Sequence, residues 1–254
     1  MRRLGSVLVA FSGGVDSSYL AVIAKQELGS DALCVLGLSA SVSEFQRNEA
    51  RRVASEQGLE LVEIDTDELS DPNYSANPTN RCYFCKSELY GKLRQMAAEK
   101  EIGCVIDGTN ADDLSEHRPG RDAANENGVV SPLADAGLTK VEIRELSLGL
   151  GIKDWDKPSS PCLSSRIAYG VPVTIERLSK VEKGEAILRK LGFSEFRVRV
   201  TGDTARLEIA PVELSRAQDM DLAGTVEIDF RKIGFESVLI DPRGFRTGSM
   251  NEKI

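Results

Sequence analysis

Short apolar runs at 7–11, 32–38 and 59–64, the first of them β-branched, alternate with stretches of helix-forming content in the first third of the chain. Residues 19–24 begin one such helix, and 43–57 read as another, stopped by Gly58. Strand, helix and strand joined by short links predict βαβ units and a mostly parallel sheet. Residues 71–80, rich in Pro, Asn and Ser, read as a loop leading into 81–86 and a helix to about residue 100. A fourth strand is expected at 103–107, a short one at 129–133, and a helix at 139–150 with a Thr139/Glu142 capping box. Ligands of parallel sheets sit beyond the carboxyl ends of the strands. That rule places 12–18, 38–40, 64–65 and 108–113 on one edge.

From about residue 174 the pattern changes. A helix at 174–191 ends at Gly192, and alternating runs at 196–200 and 205–209 flank Gly202-Asp203, a hairpin signal. Helices at 211–220 and 226–233, a last strand at 237–240 and a polar tail at 246–254 follow. The expected architecture is an α/β domain over 1–170 with a parallel sheet flanked by helices, then a smaller α+β domain over 171–254.

Composition narrows the function. Of 254 residues 41% are hydrophobic, and no apolar run approaches membrane-spanning length. The basic start is followed only by the first strand, so no signal peptide is expected and the chain reads as cytoplasmic. A net charge of −8 disfavours a general nucleic-acid-binding surface, although a local basic pocket remains compatible with it. Five cysteines, an odd count in a cytosolic chain, point to metal or redox chemistry rather than a disulfide framework.

The segment Ser12-Gly13-Gly14-Val15-Asp16-Ser17-Ser18 lies at the first strand-to-helix turn, where backbone N–H groups and the helix dipole favour an anion. Its glycines admit close approach of a phosphate, its serines add hydroxyl donors, and Asp16 suits a helix cap or Mg²⁺. It lacks the Gly-Lys-Ser/Thr of a Walker A loop and the Gly-x-Gly-x-x-Gly of a dinucleotide fold. Ser39 and Ala40 are small enough to leave room for a flat base. Asn110 and Asp113, in 108–113, suit ribose or Mg²⁺ contacts, or else a capping turn. His117 reads as a surface loop residue, and Cys34 and Cys104 as core.

Cys82 and Cys85 form a C-x-x-C at a helix start, and Cys162 lies in a long Pro/Ser loop that also holds the only Trp. Three thiolates without a fourth protein ligand suit a [4Fe–4S] cluster with one open iron; a redox pair or a structural role stays open. Arg197 and Arg199 share one face of a strand, opposite Arg206 and Glu208 on its partner, so the hairpin is expected to present a charged face. Such a face either recognises phosphate and carboxylate or is solvated and cross-paired.

The SGGVDSS loop resembles the pyrophosphate loop of the N-type ATP pyrophosphatases (PP-loop enzymes). Together with the CYFC segment at 82–85, the 108–113 segment and above all Pro161-Cys162-Leu163-Ser164-Ser165-Arg166, it resembles the ATP-dependent sulfur transferase family LarE. The small domain with FRVRVTGDTARLEI fits as well, so the likeness covers nearly the whole chain. It implies adenylation of a carboxylate of pyridinium-3,5-biscarboxylic acid mononucleotide with release of pyrophosphate. Replacement of AMP by sulfur then gives a thiocarboxylate in nickel-pincer cofactor synthesis. It implies ATP and Mg²⁺ at Ser12, Gly13, Gly14, Asp16, Ser17, Ser18, Ser39, Asn110 and Asp113, substrate at Arg166, Arg197, Arg199 and Glu208, and a homo-oligomer, a hexamer in the family. Two sulfur routes are implied: Cys162 gives up its own sulfur, or Cys82, Cys85 and Cys162 hold a [4Fe–4S] cluster that passes on sulfide from another donor. The three cysteines favour the cluster. The rivals are a tRNA-thiolating or amide-forming ligase of the same fold and a non-catalytic ATP-binding protein.

Overall fold

The computed structural model describes residues 1–115, 119–158 and 160–246. His117, Ser159 and the tail from 247 lie outside the described residues. The chain divides into two compact units: Met1–Tyr74 with Asn80–Ser160, and Ser75–Thr79 with the chain from Pro161 onward. That division falls ahead of the expected boundary after residue 170.

The first unit runs β1 (Val7–Ala10), α1 (Val15–Leu28), β2 (Ala32–Leu38), α2 (Glu44–Glu56), β3 (Leu61–Asp65), α3 (Pro72–Ser75), α4 (Arg81–Glu99), β4 (Cys104–Ile106), α5 (Pro119–Glu126), α6 (Pro132–Asp135) and α7 (Lys140–Gly149). Its four strands are all parallel, in the order β3-β2-β1-β4. Successive side chains of a strand point to opposite faces, and both faces of this sheet are covered. Val7 and Val9 of β1 pack with Leu20, Ala21 and Ala24 of α1, Ala50 and Val53 of α2 and Ile143 of α7. Leu8, on the opposite face, packs with Tyr90 and Leu93 of α4 and Ala123 of α5. β2 lies on one side of β1 and β4 on the other, so the strand order reverses at the carboxyl end of β1, the crevice where such sheets bind ligands.

Two local expectations change. The strand at 129–133 reduces to one bridge, Val130 beside Ile106, because Pro132 has no N–H to continue pairing and opens α6 instead. The loop at 71–80 contains the helical turn α3. Among the described residues no helix is long and apolar enough to cross a membrane. Cys34 is buried and its thiol is pushed up to about 12, chiefly by burial, as an inert core residue would be; Cys104 is half-buried.

The second unit runs α8 (Ile175–Lys190), β5 (Phe196–Thr201), β6 (Thr204–Ile209), α9 (Pro211–Asp219), α10 (Leu222–Lys232) and β7 (Ser237–Ile240). β5 and β6 are antiparallel around Gly202, whose φ of 57° suits the tight turn, and β7 lies parallel to β6. The expected exposed charged face is instead buried. Arg197 and Arg199 are 8% and 6% exposed, and Glu208 is wholly enclosed. Their charges are matched inside the unit rather than by water.

Candidate functional site

The first unit builds its site where β1 hands over to α1. Gly13 has φ +70°, and a Cβ there would lie 2.6 Å from the Ala50 Cα of α2, so only glycine fits between loop and helix. Gly14 caps α1 in extended conformation. Ser12 Oγ accepts from the Gly14 N–H at 3.3 Å and lies 3.0 Å from Ser17 Oγ, which in turn donates to the Gly14 carbonyl at 3.1 Å. The loop is therefore shaped by its own hydroxyls. Asp16 and Ser18 are different. Among the described residues, buried Asp16 Oδ1 and Ser18 Oγ have no hydrogen-bond partner. Buried polar atoms are rarely left without a partner, so these two are open to an added ligand or cation.

The carboxyl end of β4 closes against this loop. A Cβ on Gly108 would lie 2.8 Å from the Ser17 nitrogen. The bend is fixed by Asp107, which accepts from the Tyr90 hydroxyl at 2.7 Å, the Ser131 hydroxyl at 2.8 Å and both the N–H and hydroxyl of Thr109. Asn110 and Asp113 cap each other, each N–H donating to the other's side chain at 3.1 Å. Asp112 accepts from the Lys140 N–H at 2.8 Å, fastening this loop to the start of α7. From there the Lys140 ammonium reaches Asp16 Oδ2.

Lys140 and Asp107 were not identified from the sequence. A lysine in the first turn of a capped helix opposes the helix dipole, and that misfit is the signal that could have found it. On the strand edge, Ser39 is buried with its hydroxyl accepting from the Ser41 N–H at 3.0 Å. Ser41 continues to the Tyr74 hydroxyl at 2.6 Å and Glu68 at 3.1 Å, a buried network under this edge.

Cys82 is exposed and Cys85 half-buried in the first turn of α4, three residues apart and so on one face. Beside them the Lys86 ammonium stacks 5.1 Å over the Tyr90 ring. Tyr90 first, then Asp107, holds it above the usual lysine range against the effect of burial. Burial pushes the Tyr90 phenol up to about 12. Among the described residues no group of three His, Cys, Asp or Glu side chains is arranged to hold a metal ion.

The second unit carries Cys162 and the arginines. Cys162, half-buried, opens a 3₁₀ turn (Leu163–Arg166), and its carbonyl accepts from the Ser165 N–H at 3.0 Å. Arg166 is buried and forks onto Glu185 at 2.8 and 3.3 Å, while its other end donates to the Pro161 carbonyl, the Cys162 carbonyl and Ser165 Oγ. Its guanidinium thus shapes the loop around Cys162. Arg199 pairs with Glu208 at 2.9 Å and donates to the Ser165 carbonyl at 2.6 Å. Arg206 also reaches Glu208, at 3.3 Å. The Arg197 guanidinium lies 4.7 Å over the Phe245 ring, and burial, then repulsion from Arg166, draws it down to about 10. Burial lowers Arg199 too. An anion placed beside these guanidiniums would favour their charged forms against the effect of burial.

A family model for NAD synthase matches residues 2–110, the part that contains the loop and the parallel sheet. The chain is 42% identical over 253 residues to an uncharacterized protein of Synechocystis, covering 99% of this chain and 94% of that one. It is 32% identical over 255 residues to the pyridinium-3,5-bisthiocarboxylic acid mononucleotide synthase of Lactiplantibacillus plantarum, covering 100% of this chain and 92% of that one. A GMP synthase subunit of Methanopyrus kandleri is 26% identical over 205 residues, 74% of this chain and 65% of its own.

Proposed function

The chain belongs to the PP-loop family of the pyridinium-3,5-bisthiocarboxylic acid mononucleotide synthases, and from that premise we propose that it is an ATP-dependent sulfurtransferase acting on a mononucleotide carboxylate. The observation that carries the ATP half is the pair of buried, partnerless oxygens on the loop, Asp16 Oδ1 and Ser18 Oγ. The N–H groups of the first turn of α1 and the hydroxyls of Ser12, Ser17 and Ser18 receive the phosphates, with Lys140 adding charge beside Asp16. Ser39 and Asn110 line the nucleotide edge. The orphaned Asp16 oxygen fits a Mg²⁺ site, with Asp113 as a second donor, and the ion would neutralise the departing pyrophosphate.

A carboxylate oxygen of the substrate attacks the α-phosphorus, the bond to the β-phosphate oxygen breaks, and pyrophosphate leaves with its electron pair. The acyl adenylate is then attacked at its carbonyl carbon by sulfur, and AMP departs. Arg197 and Arg199 hold the anionic substrate, Glu208 sets the Arg199 fork, and Arg166 keeps Cys162 in its loop. Bringing two anions together is the main obstacle, so positioning and charge neutralisation supply much of the rate.

For the sulfur itself, the donor set of Cys82, Cys85 and Cys162 suits a [4Fe–4S] cluster in kind, and such a cluster would present a sulfide to the acyl adenylate. Among the described residues no group of three such side chains is arranged to hold a metal ion. The alternative is donation by Cys162, its Cβ–Sγ bond breaking with loss of the α-proton to leave dehydroalanine. Iron analysis of anaerobically reconstituted protein, with intact mass before and after one turnover, separates the routes. Iron with unchanged mass supports the cluster; an iron-free protein that turns over once and loses H₂S from Cys162 overturns it.

A further inference from the structure

The residues between α7 and the Cys162 loop are fastened along α2 by a charge pattern that the proposed chemistry does not use. Glu49, Arg52 and Glu56 stand three and four residues apart, forming one stripe on α2. Opposite them run Lys157, Asp154 and Lys153, in reverse order. Lys157 pairs with Glu49 at 2.7 Å, Asp154 with Arg52, and Lys153 with Glu56 at 3.0 Å. The signs alternate on both sides, so the pattern sets direction and register together. Sliding the segment by one pair would place like charges opposite each other.

Both ends of the pattern are locked further. Gln46 uses its side-chain oxygen to accept from the Ser43 N–H at the cap of α2, and its NH₂ to donate to the Ser160 carbonyl at 2.7 Å. Lys157 also lies 5.8 Å over the Phe45 ring, and its carbonyl accepts from Arg144 of α7 at 3.4 Å. Ile152 anchors the start of the segment in the core. The two helices that hold the segment are the same two that touch the nucleotide loop: α2 through Ala50 against Gly13, and α7 through Lys140 to Asp16.

We infer that residues 152–158 with Ser160 form a strap clamped to α2, and that Gln46, Glu49 and Arg52 are positioning residues that hold the chain leading to the Cys162 loop and so govern sulfur transfer but not adenylation. The inference rests on the proposed sulfur transfer.

The only tryptophan, Trp155, sits half-buried inside the strap, so its fluorescence reads the strap without reference to activity. The experiment compares wild type with Glu49→Lys, Lys157→Glu and the double exchange Glu49→Lys/Lys157→Glu. Each is assayed for Trp155 emission, pyrophosphate release and thiocarboxylate formation. Each single exchange should red-shift the emission and slow thiocarboxylate formation by about fivefold or more, with pyrophosphate release unchanged. The double exchange should recover part of both signals, because it remakes the pair between positions 49 and 157 while losing the Glu49–Arg52 pair. Failure of the double exchange to recover either signal, or equal losses in both half-reactions, overturns the inference. Absence of substrate-dependent pyrophosphate release in the wild type would instead refute the parent reading, and the emission of the four proteins would still decide whether the strap exists.

Discussion

Replacing Gly13 by alanine puts the packing of loop against helix to a numerical test. The new Cβ would lie 2.6 Å from the Ala50 Cα and 2.8 Å from its Cβ, and Ala50 is fully buried in the core on α2. Nothing flexible stands there to move aside. The backbone φ of +70° adds about 1–2 kcal/mol for any residue with a Cβ, and the overlap adds about 1–3 kcal/mol. A total near 3 kcal/mol lowers the melting temperature by about 6–12 °C at this chain size. Gly14→Ala is the internal control. Its φ is −75°, and its Cβ would meet only Ser12 Oγ at 3.4 Å, so only the loss of about 1 kcal/mol for alanine at a helix N-cap is expected, a shift of at most about 4 °C. Thermal unfolding followed by circular dichroism gives both values, and the KM for ATP should rise in Gly13→Ala as the first turn of α1 is pushed aside. Gly13→Ala melting with the wild type would refute the claim that loop and helix are in contact.

Asp16→Ala should abolish pyrophosphate release while leaving the melting curve in place, because it removes the oxygen aimed into the site; a folded variant with wild-type release removes Asp16 from the mechanism. Arg197→Ala or Arg199→Ala should raise the KM for the mononucleotide about thirtyfold, the worth of one charge-assisted contact of about 2 kcal/mol, with little change for ATP. The Glu49 carboxylate is held down to about 2, first by its hydrogen bond from Arg52. Its folded pKa lies below the unfolded one, so its contribution is complete above the usual carboxylate range and fades only as pH falls toward about 2. Trp155 emission should therefore stay constant from pH 8 to pH 5, and a transition in that range would contradict the ion pairing.

The first half of the fold is legible because local signals agree with tertiary ones there. The apolar runs became β1 to β3, and the Thr139 cap formed the predicted box, while the matching Ser43/Gln46 box on α2 emerged only in the structure. The hairpin was equally plain from Gly202-Asp203 between alternating strands. Burial of its charged face was not, because alternation gives two faces but not what covers them. Arg166, Arg197 and Arg199 are enclosed by contacts with Glu185, Ser165 and Phe245, partners separated from them by up to tens of residues in sequence. Residues 129–133 failed as a strand because a single proline outweighs an apolar run. The loop Ser12 to Ser18 could be read as an anion site from its glycines and serines. Lys140 could not, since its target lies more than a hundred residues earlier and only the packing of α7 beside α1 brings them together. The strap was visible as an unusual loop, while its pairing with α2 needed both partners in register.

The claim that this protein adenylates a mononucleotide carboxylate and then exchanges oxygen for sulfur is tested most directly by a single-turnover experiment. ATP, Mg²⁺ and pyridinium-3,5-biscarboxylic acid mononucleotide are mixed anaerobically with wild type and with Cys162→Ser, and pyrophosphate, AMP and the nucleotide product are quantified by mass spectrometry. The wild type should release pyrophosphate only when the mononucleotide is present and yield a product in which one sulfur replaces one oxygen. Cys162→Ser should release the same pyrophosphate and form no sulfur-containing product. Pyrophosphate release indifferent to the mononucleotide, or a thiocarboxylate made by Cys162→Ser, would contradict the account.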